Sequence, residues 1–211
     1  MIVKTLTVGK IIPTNSYFYI DEKSKHGFLI DAGDNTDILV QEIENNDWKI
    51  EKILLTHGHF DHIGAVDELS KKLNIPYYIH RNGQQYLSNP DYNLSIYFAE
   101  PITLKDAKYF TDNEEIILEA DKNIKLKVLH TPGHTADSVT FYDTDNGIAF
   151  CGDTIFKSSV GRTDIPGGDS KQLSQSIKQK ILTLPDDTLL YSGHSTPTTV
   201  GAERNHNLFI L

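Results

Sequence analysis

The sequence predicts an α/β protein: two sheets with helices on their outer faces, packed as one domain over residues 1-211. Three observations predict it. Short β-branched or alternating runs recur along the chain, and several lead into a segment with helical apolar spacing. The order runs strands, α/β units, strands again, then α/β again. Clusters of His and Asp stand where the strands end, the position at which loops carry chemistry on a rigid frame.

The β-branched run Ile2 to Val8 predicts the first strand. Tyr17 to Ile20 is the second, and Gly27 to Ile30 follows the charged turn DEKSK. After LIDAGDN the pattern turns helical over Ile38 to Asn45, with a start at Thr36 or Asp37. Lys52 to Thr56 is a strand that delivers THGHFDH. Ile63 to Leu73 is a helix, because apolar residues recur at 63, 66, 69 and 73. Pro76 to His80 is the next strand. Residues 81-110, rich in Tyr, Asn and Pro, read as less regular, with a short helix and a lid or substrate wall. Strands are expected at Ile116 to Leu118 and Ile124 to Leu129. Ser138 to Tyr142 and Ile148 to Cys151 form a hairpin around DTDNG. Leu173, Ile177 and Ile181 predict a helix over Gln172 to Leu182, and Leu189 to Tyr191 is the final strand before SGH.

Charge narrows the partners. The chain has 29 acidic and 20 basic side chains, a formal net charge of -9, which repels nucleic acid and anionic membranes unless a basic patch overrides it. Lys122 to Lys127 is not such a patch: Ile124, Leu126 and Val128 alternate with its lysines, as in a half-buried strand. Cys151 is the only cysteine, which excludes an intrachain disulfide and suits a reducing compartment. No stretch approaches ~18 apolar residues, and MIVKTLTVGK lacks the features of a cleaved leader. A cytoplasmic protein acting on a small molecule, with no nucleic-acid or membrane partner, is the expectation.

The chemistry concentrates in THGHFDH, residues 56-62. His57, His59 and His62 lack the spacing of a helical zinc site, but a turn can point His57 and His59 inward together while Asp61 and His62 face a neighbouring point. Imidazoles and a carboxylate suit zinc, and also iron or manganese. Alone, the cluster also fits a polar surface turn. His134 in HTPGHT, Asp153 in CGD and His194 in SGH argue against that. Each follows an expected strand and a glycine (Gly133, Gly152 or Gly193) that permits a tight turn or close backbone approach. Seven candidate ligands at strand ends predict a metal centre. His130 ends an alternating strand and reads as structural, or as a group behind the ligands. His26, His80 and His206 have no motif around them, and Cys151 reads as a small buried core residue.

HGHFDHIG, His57 to Gly64, resembles the HxHxDH signature of the metallo-β-lactamase superfamily. His134, Asp153 and His194 match its later metal motifs in order and spacing, and NSYFYI and LIDAG are similar too, so the resemblance covers almost the entire chain. It implies a four-layer αβ/βα sandwich with the metal centre at one edge between the sheets. It implies that His57, His59 and His134 hold one divalent cation, that Asp61, His62 and His194 hold a second, and that Asp153 bridges them. Zinc is the first expectation, with iron or manganese as alternatives. A hydroxide shared by the metals would be the nucleophile, with Asp61 both binding metal and orienting it.

VGRTDIPGGD, Val160 to Asp169, resembles the GRTD segment of glyoxalase II-like hydrolases and of the related persulfide dioxygenases. The Ile-Pro-Gly-Gly that follows is most similar to short bacterial glyoxalase II-like proteins. Arg162 either pairs with Asp164 to brace a loop, the favoured role, or meets a substrate carboxylate. The tail TPTTVGAERNHNLFIL is similar to the same group. Ser195 replaces its common glycine and Leu208 lies where it often has a proline, and neither change removes a ligand. The chain leaves no room for the C-terminal helical domain that binds glutathione in longer relatives, so the thiol stays open. The resemblance implies a thioesterase acting on 2-hydroxyacyl thioesters, with Tyr17, Tyr92, Tyr97 and Phe156 as candidate cleft aromatics. The alternatives are a mononuclear iron persulfide dioxygenase using His57, His134 and Asp153, a lactonase, and a metal-bearing binding protein without turnover. A β-lactamase is less favoured, because Asp153 stands where the common zinc enzymes have cysteine. Diiron electron transfer is disfavoured by His59, and a nuclease by the charge.

Overall fold

Residues 1-210 are described by a computed structural model. The first sheet runs in the order β1 (Ile2–Val8), β2 (Thr14–Ile20), β3 (His26–Ile30), β4 (Lys49–Leu54), β5 (Tyr77–His80) and β6 (Lys108–Phe110). Its first two pairings are antiparallel and the rest parallel. The parallel pairings require crossovers, which helices α1 (Thr36–Asn45), α2 (Phe60–Ile63), α3 (Val66–Leu73), α4 (Gln84–Ser88) and α5 (Ser95–Phe98) supply.

The second sheet contains β7 (Glu115–Ile117), β8 (Lys125–His130), β9 (Val139–Asp143) and β10 (Ile148–Gly152). A small hairpin, β11 (Ile155–Phe156) with β12 (Ser159–Val160), follows. After α6 (Ser170–Ser176) come β13 (Leu189–Ser192), β14 (Thr198–Thr199) and α7 (Val200–His206). The sheet order is β14-β13-β10-β9-β8-β7, with β10 and β13 parallel.

Side-chain alternation sorts the core into three layers. Phe18, Ile20 and Leu29 face Leu39, Ile43 and Leu69 under the outer helices of the first sheet. Tyr17, Tyr19 and Phe28 point the other way, onto Phe141 and Phe150 of the second sheet. Ala149, Cys151 and Leu190 face Leu173, Ile177 and Val200. Three apolar layers between four layers of elements make the α/β four-layer sandwich, and every residue of β2 is buried because both its faces are covered.

Several boundaries depart from the sequence reading. The helix expected over Ile63 to Leu73 breaks at Gly64 and Ala65. A Cβ on Gly64 would lie 2.3 Å from the Gly33 carbonyl, and the Ala65 amide donates to Ala32. Close backbone packing there outweighs helical propensity. The strand expected from Lys52 begins at Lys49, and Thr56 lies beyond its end. The expected helix at Gln172 starts at Ser170, because Asp169 caps the amides of Lys171 and Gln172, and its second half over Ile177–Ile181 widens to π geometry. The 81-110 segment also contributes the short strand β6, and β14 follows the strand expected to be last. No helix is long and apolar enough to cross a membrane among the described residues.

Candidate metal centre

The strand ends converge at one edge. Parallel pairing of β3 with β4 places Ile30 beside Leu54, so Asp31 and Thr56 emerge together. Parallel pairing of β10 with β13 places Gly152 beside Ser192, so Asp153 and His194 emerge together. The Val139 amide donates to the Thr56 carbonyl at 2.8 Å, and Asn15 donates from its side chain to the carbonyls of Ser192 and Ser195 at 3.1 and 3.0 Å. These bonds stitch the two sheets where the His and Asp residues meet.

His57 Nε2 and His134 Nε2 each lie 3.0 Å from His59 Nδ1. Asp61, His62 and His194 form a neighbouring group, and Asp153 stands between the two. Its Oδ1 is 3.4 Å from His62 Nε2, and its Oδ2 is 3.6 Å from His134 Nε2 and 3.1 Å from His194 Nε2. The residue sets His57/His59/His134, His57/His62/Asp153 and Asp61/His62/His194 each bring their donor atoms within 4.8 Å of one another. All seven residues singled out in the sequence therefore meet.

The far ring nitrogens set the tautomers. His134 Nδ1 donates to the Arg162 carbonyl at 2.8 Å, and His194 Nδ1 to the Pro13 carbonyl at 2.9 Å. His62 Nδ1 donates to Asp31 Oδ2 at 2.9 Å. The Thr56 hydroxyl gives its proton to Asp31 at 2.7 Å, so its oxygen accepts from His57 Nδ1 at 3.2 Å. In the neutral rings, each of these four Nε2 atoms then presents a lone pair to the centre. Buried His62 Nε2 and Asp153 Oδ1 have no hydrogen-bond partner among the described residues. Converging lone pairs and carboxylates repel one another unless cations or protons intervene, so these clusters fit one or two divalent metal ions.

Without metal, protons take that place. His57 and His59 are held well below the ordinary imidazole range by burial and by each other's neighbourhood, and burial also lowers His134. His62 is held well above that range: burial opposes its charge, but Asp61, Asp31 and Asp153 outweigh it. His194 rises to about 10 against burial, because Asp153 and Asp61 face it. Burial would raise Asp61, yet His62 and His194 hold it at about 2.

Two supporting residues were not singled out in the sequence. Asp31 takes the Thr56 amide and hydroxyl as well as His62, and it does so from a left-handed backbone at φ 56°. Thr14 donates to Asp61 Oδ2 at 2.8 Å. Asp31 had a signal, an acid directly after a strand in LIDAG. Thr14 had none, since its partner is 47 residues away.

Other expectations sort clearly. Arg162 grips Asp164 through two bonds of 2.8 and 2.9 Å at the exposed rim, while its carbonyl holds His134. Phe156 lines the cleft, but Tyr17 lies between the sheets, Tyr92 packs on Tyr86, and exposed Tyr97 bonds Asp91. His130 lies outside the donor groups: it stacks on His80 at 4.0 Å and bonds the Ala136 carbonyl. Cys151 is buried core.

The model of the Metallo-beta-lactamase superfamily matches residues 10–194. This chain belongs to the metallo-β-lactamase superfamily. Its relatives within that superfamily include glyoxalase II-like members. Hydroxyacylglutathione hydrolase GloC of Haemophilus influenzae is 32% identical over 207 residues, covering 95% of this chain and 97% of the relative. Among solved structures, BLEG-1 B3 metallo-β-lactamase superposes with a TM-score of 0.92 at 37% identity, over 99% of each chain. TTHA1623 in a di-iron-bound form gives 0.87 at 33% identity, over 98% of this chain and 100% of the other. Superfamily membership and the metal-ligand clusters together make this chain a metal-dependent hydrolase.

Proposed function

We propose that this superfamily member is a thioesterase that hydrolyses 2-hydroxyacyl thioesters with two zinc ions, iron or manganese being able to replace them. His57, His59 and His134 would hold one cation, Asp61, His62 and His194 the other, and Asp153 both. The observation that carries this reading is the position of Asp153 between two complete donor groups, within 3.6 Å of imidazoles from each. Bound there, divalent cations lower the pKa of coordinated water and polarise a carbonyl. Kinship with a hydroxyacylglutathione hydrolase supports the thioester.

The chain's own residues complete the chemistry. Asp61, fixed by the Thr14 hydroxyl, orients the attacking water and accepts its proton. Phe60, Phe98 and Phe156 wall the cleft against bulk solvent. Water adds to the carbonyl carbon, the C–S bond breaks, and an acid and a thiol leave. Arg162 and Asp164 brace the loop whose carbonyl orients His134.

One observation favours a second reading, β-lactam hydrolysis: the likeness to BLEG-1 over 99% of each chain. Against it, among the described residues the only Lys or Arg lining the cleft is Arg162, already tied to Asp164, whereas a β-lactam carboxylate needs a free cation.

The test begins with protein purified anaerobically without added metal. Near two metals per chain, with thiol release from a 2-hydroxyacyl thioester exceeding turnover of a chromogenic cephalosporin, supports the thioesterase. One iron per chain with persulfide-dependent oxygen uptake overturns it in favour of a dioxygenase, and preferential cephalosporin turnover favours the second reading.

A further inference from the structure

We propose that an apolar cavity beside the metal cleft, between residues 9-12 and 99-102, receives the acyl arm of the substrate as a hydrocarbon chain of several carbons. The inference rests on the thioesterase reading and adds a substrate class to it.

The cavity has a volume of about 260 Å³ and is walled by Ile11, Ile12, Phe60, Ala99 and Ile102. Ile12, Phe60 and Asp61 also line the metal cleft, so the two spaces adjoin at the wall where the attacking water is oriented. A chain leaving the reacting carbonyl on that side meets hydrocarbon.

Charge decides which arm enters. Among the described residues, the charged ones lining the cavity are Asp34, Asp61 and Glu100, with no Lys or Arg. Carrier thiols of metabolism bear carboxylates or phosphates, which would lose water beside those acids without gaining a partner. An anionic thiol arm is therefore kept out of the cavity, which leaves the space beside Ile11 and Ile102 to the hydrocarbon arm.

The wall is built rather than loose. Phe60 stacks on Phe98 with centroids 5.5 Å apart and planes at 13°. Buried Asn93 ties the 81-110 segment together, donating to the carbonyls of Tyr86 and Ile102 at 2.8 and 2.9 Å, while its own carbonyl accepts the Phe60 amide at 2.9 Å. In that lining Ile11 is 56% exposed, leaving apolar surface that a hydrocarbon would cover.

The test is kcat/KM for metal-loaded enzyme over straight-chain acyl thioesters of one small neutral thiol. Each added methylene should raise kcat/KM about three- to fourfold until the cavity is full. Ala99→Trp should collapse the long-to-short ratio toward one. Glu100→Lys should raise the preference for an acyl chain ending in a carboxylate. A flat or falling series overturns the proposal, as does a rising series that Ala99→Trp leaves intact. If no thioester turns over, the thioesterase reading fails separately. Calorimetry with ketone analogues, in which CH₂ replaces sulfur, then reads the cavity alone. Tighter binding with chain length that Ala99→Trp abolishes upholds the cavity, and binding independent of chain length overturns it.

Discussion

Asp31 and His62 form a buried pair, Oδ2 to Nδ1 at 2.9 Å, and the same carboxylate accepts the amide and hydroxyl of Thr56. One acid thus sets two imidazoles, His62 directly and His57 through the Thr56 hydroxyl. It links the end of β3 to both donor groups.

Asp31→Asn tests that arrangement while tolerating the left-handed backbone, which Asn adopts readily. An amide N–H facing His62 Nδ1 forces the proton onto Nε2, the atom aimed at the centre. Metal affinity should fall roughly 10- to 100-fold, as for loss of other groups that orient a ligand. Competition against a chromogenic chelator measures it, and unchanged affinity would refute the role.

Asp61→Asn should lower kcat roughly 10²- to 10⁴-fold, the range for losing a positioned proton acceptor. His57, His59 and His134 are untouched, so elemental analysis should still find metal at that triad. Turnover that falls only in proportion to lost metal would argue against a direct catalytic role.

Metal binding should release protons. In the metal-free protein His62 and His194 are protonated at pH 7, because both are raised, His194 to about 10. Cation binding requires both nitrogens bare, so two protons must leave. Affinity should rise about 100-fold per pH unit near neutrality, read by chelator competition across that range. The sign for folding is opposite. A raised His stabilises the metal-free fold fully below its unfolded value of about 6.5, and that stability is lost as pH rises toward its folded value.

Asp137 is fully buried, and neither carboxylate oxygen has a hydrogen-bond partner among the described residues. Burial pushes it up to about 7. A raised acid costs nothing below its unfolded value of about 4, and its cost grows to about 4 kcal/mol as pH climbs to 7 and beyond. Asp137→Asn should therefore raise the thermal midpoint of metal-free protein at pH 8 more than at pH 4. Equal shifts at both pH values would sink the idea.

Local pattern carried much of the fold. The apolar run Tyr17 to Ile20 and the four-residue spacing of Leu173, Ile177 and Ile181 each report burial within a few residues, and those elements formed. The break at Gly64 was hidden, because its cause is the Gly33 carbonyl, brought close only by packing. Most of the 81-110 segment was hidden for a related reason. Asn93 holds it through bonds to loop carbonyls, and no periodicity encodes those.

By itself, the sequence determined the donor types and their places after strands, because imidazole and carboxylate chemistry and strand periodicity are local. Only the tertiary structure decided that Asp31 orients His62, that Thr14 reaches Asp61, and that Ile11 and Ile102 share a cavity beside the centre. Those relations depend on parallel strand pairing and the packing of two sheets, which join residues that the chain itself keeps far apart.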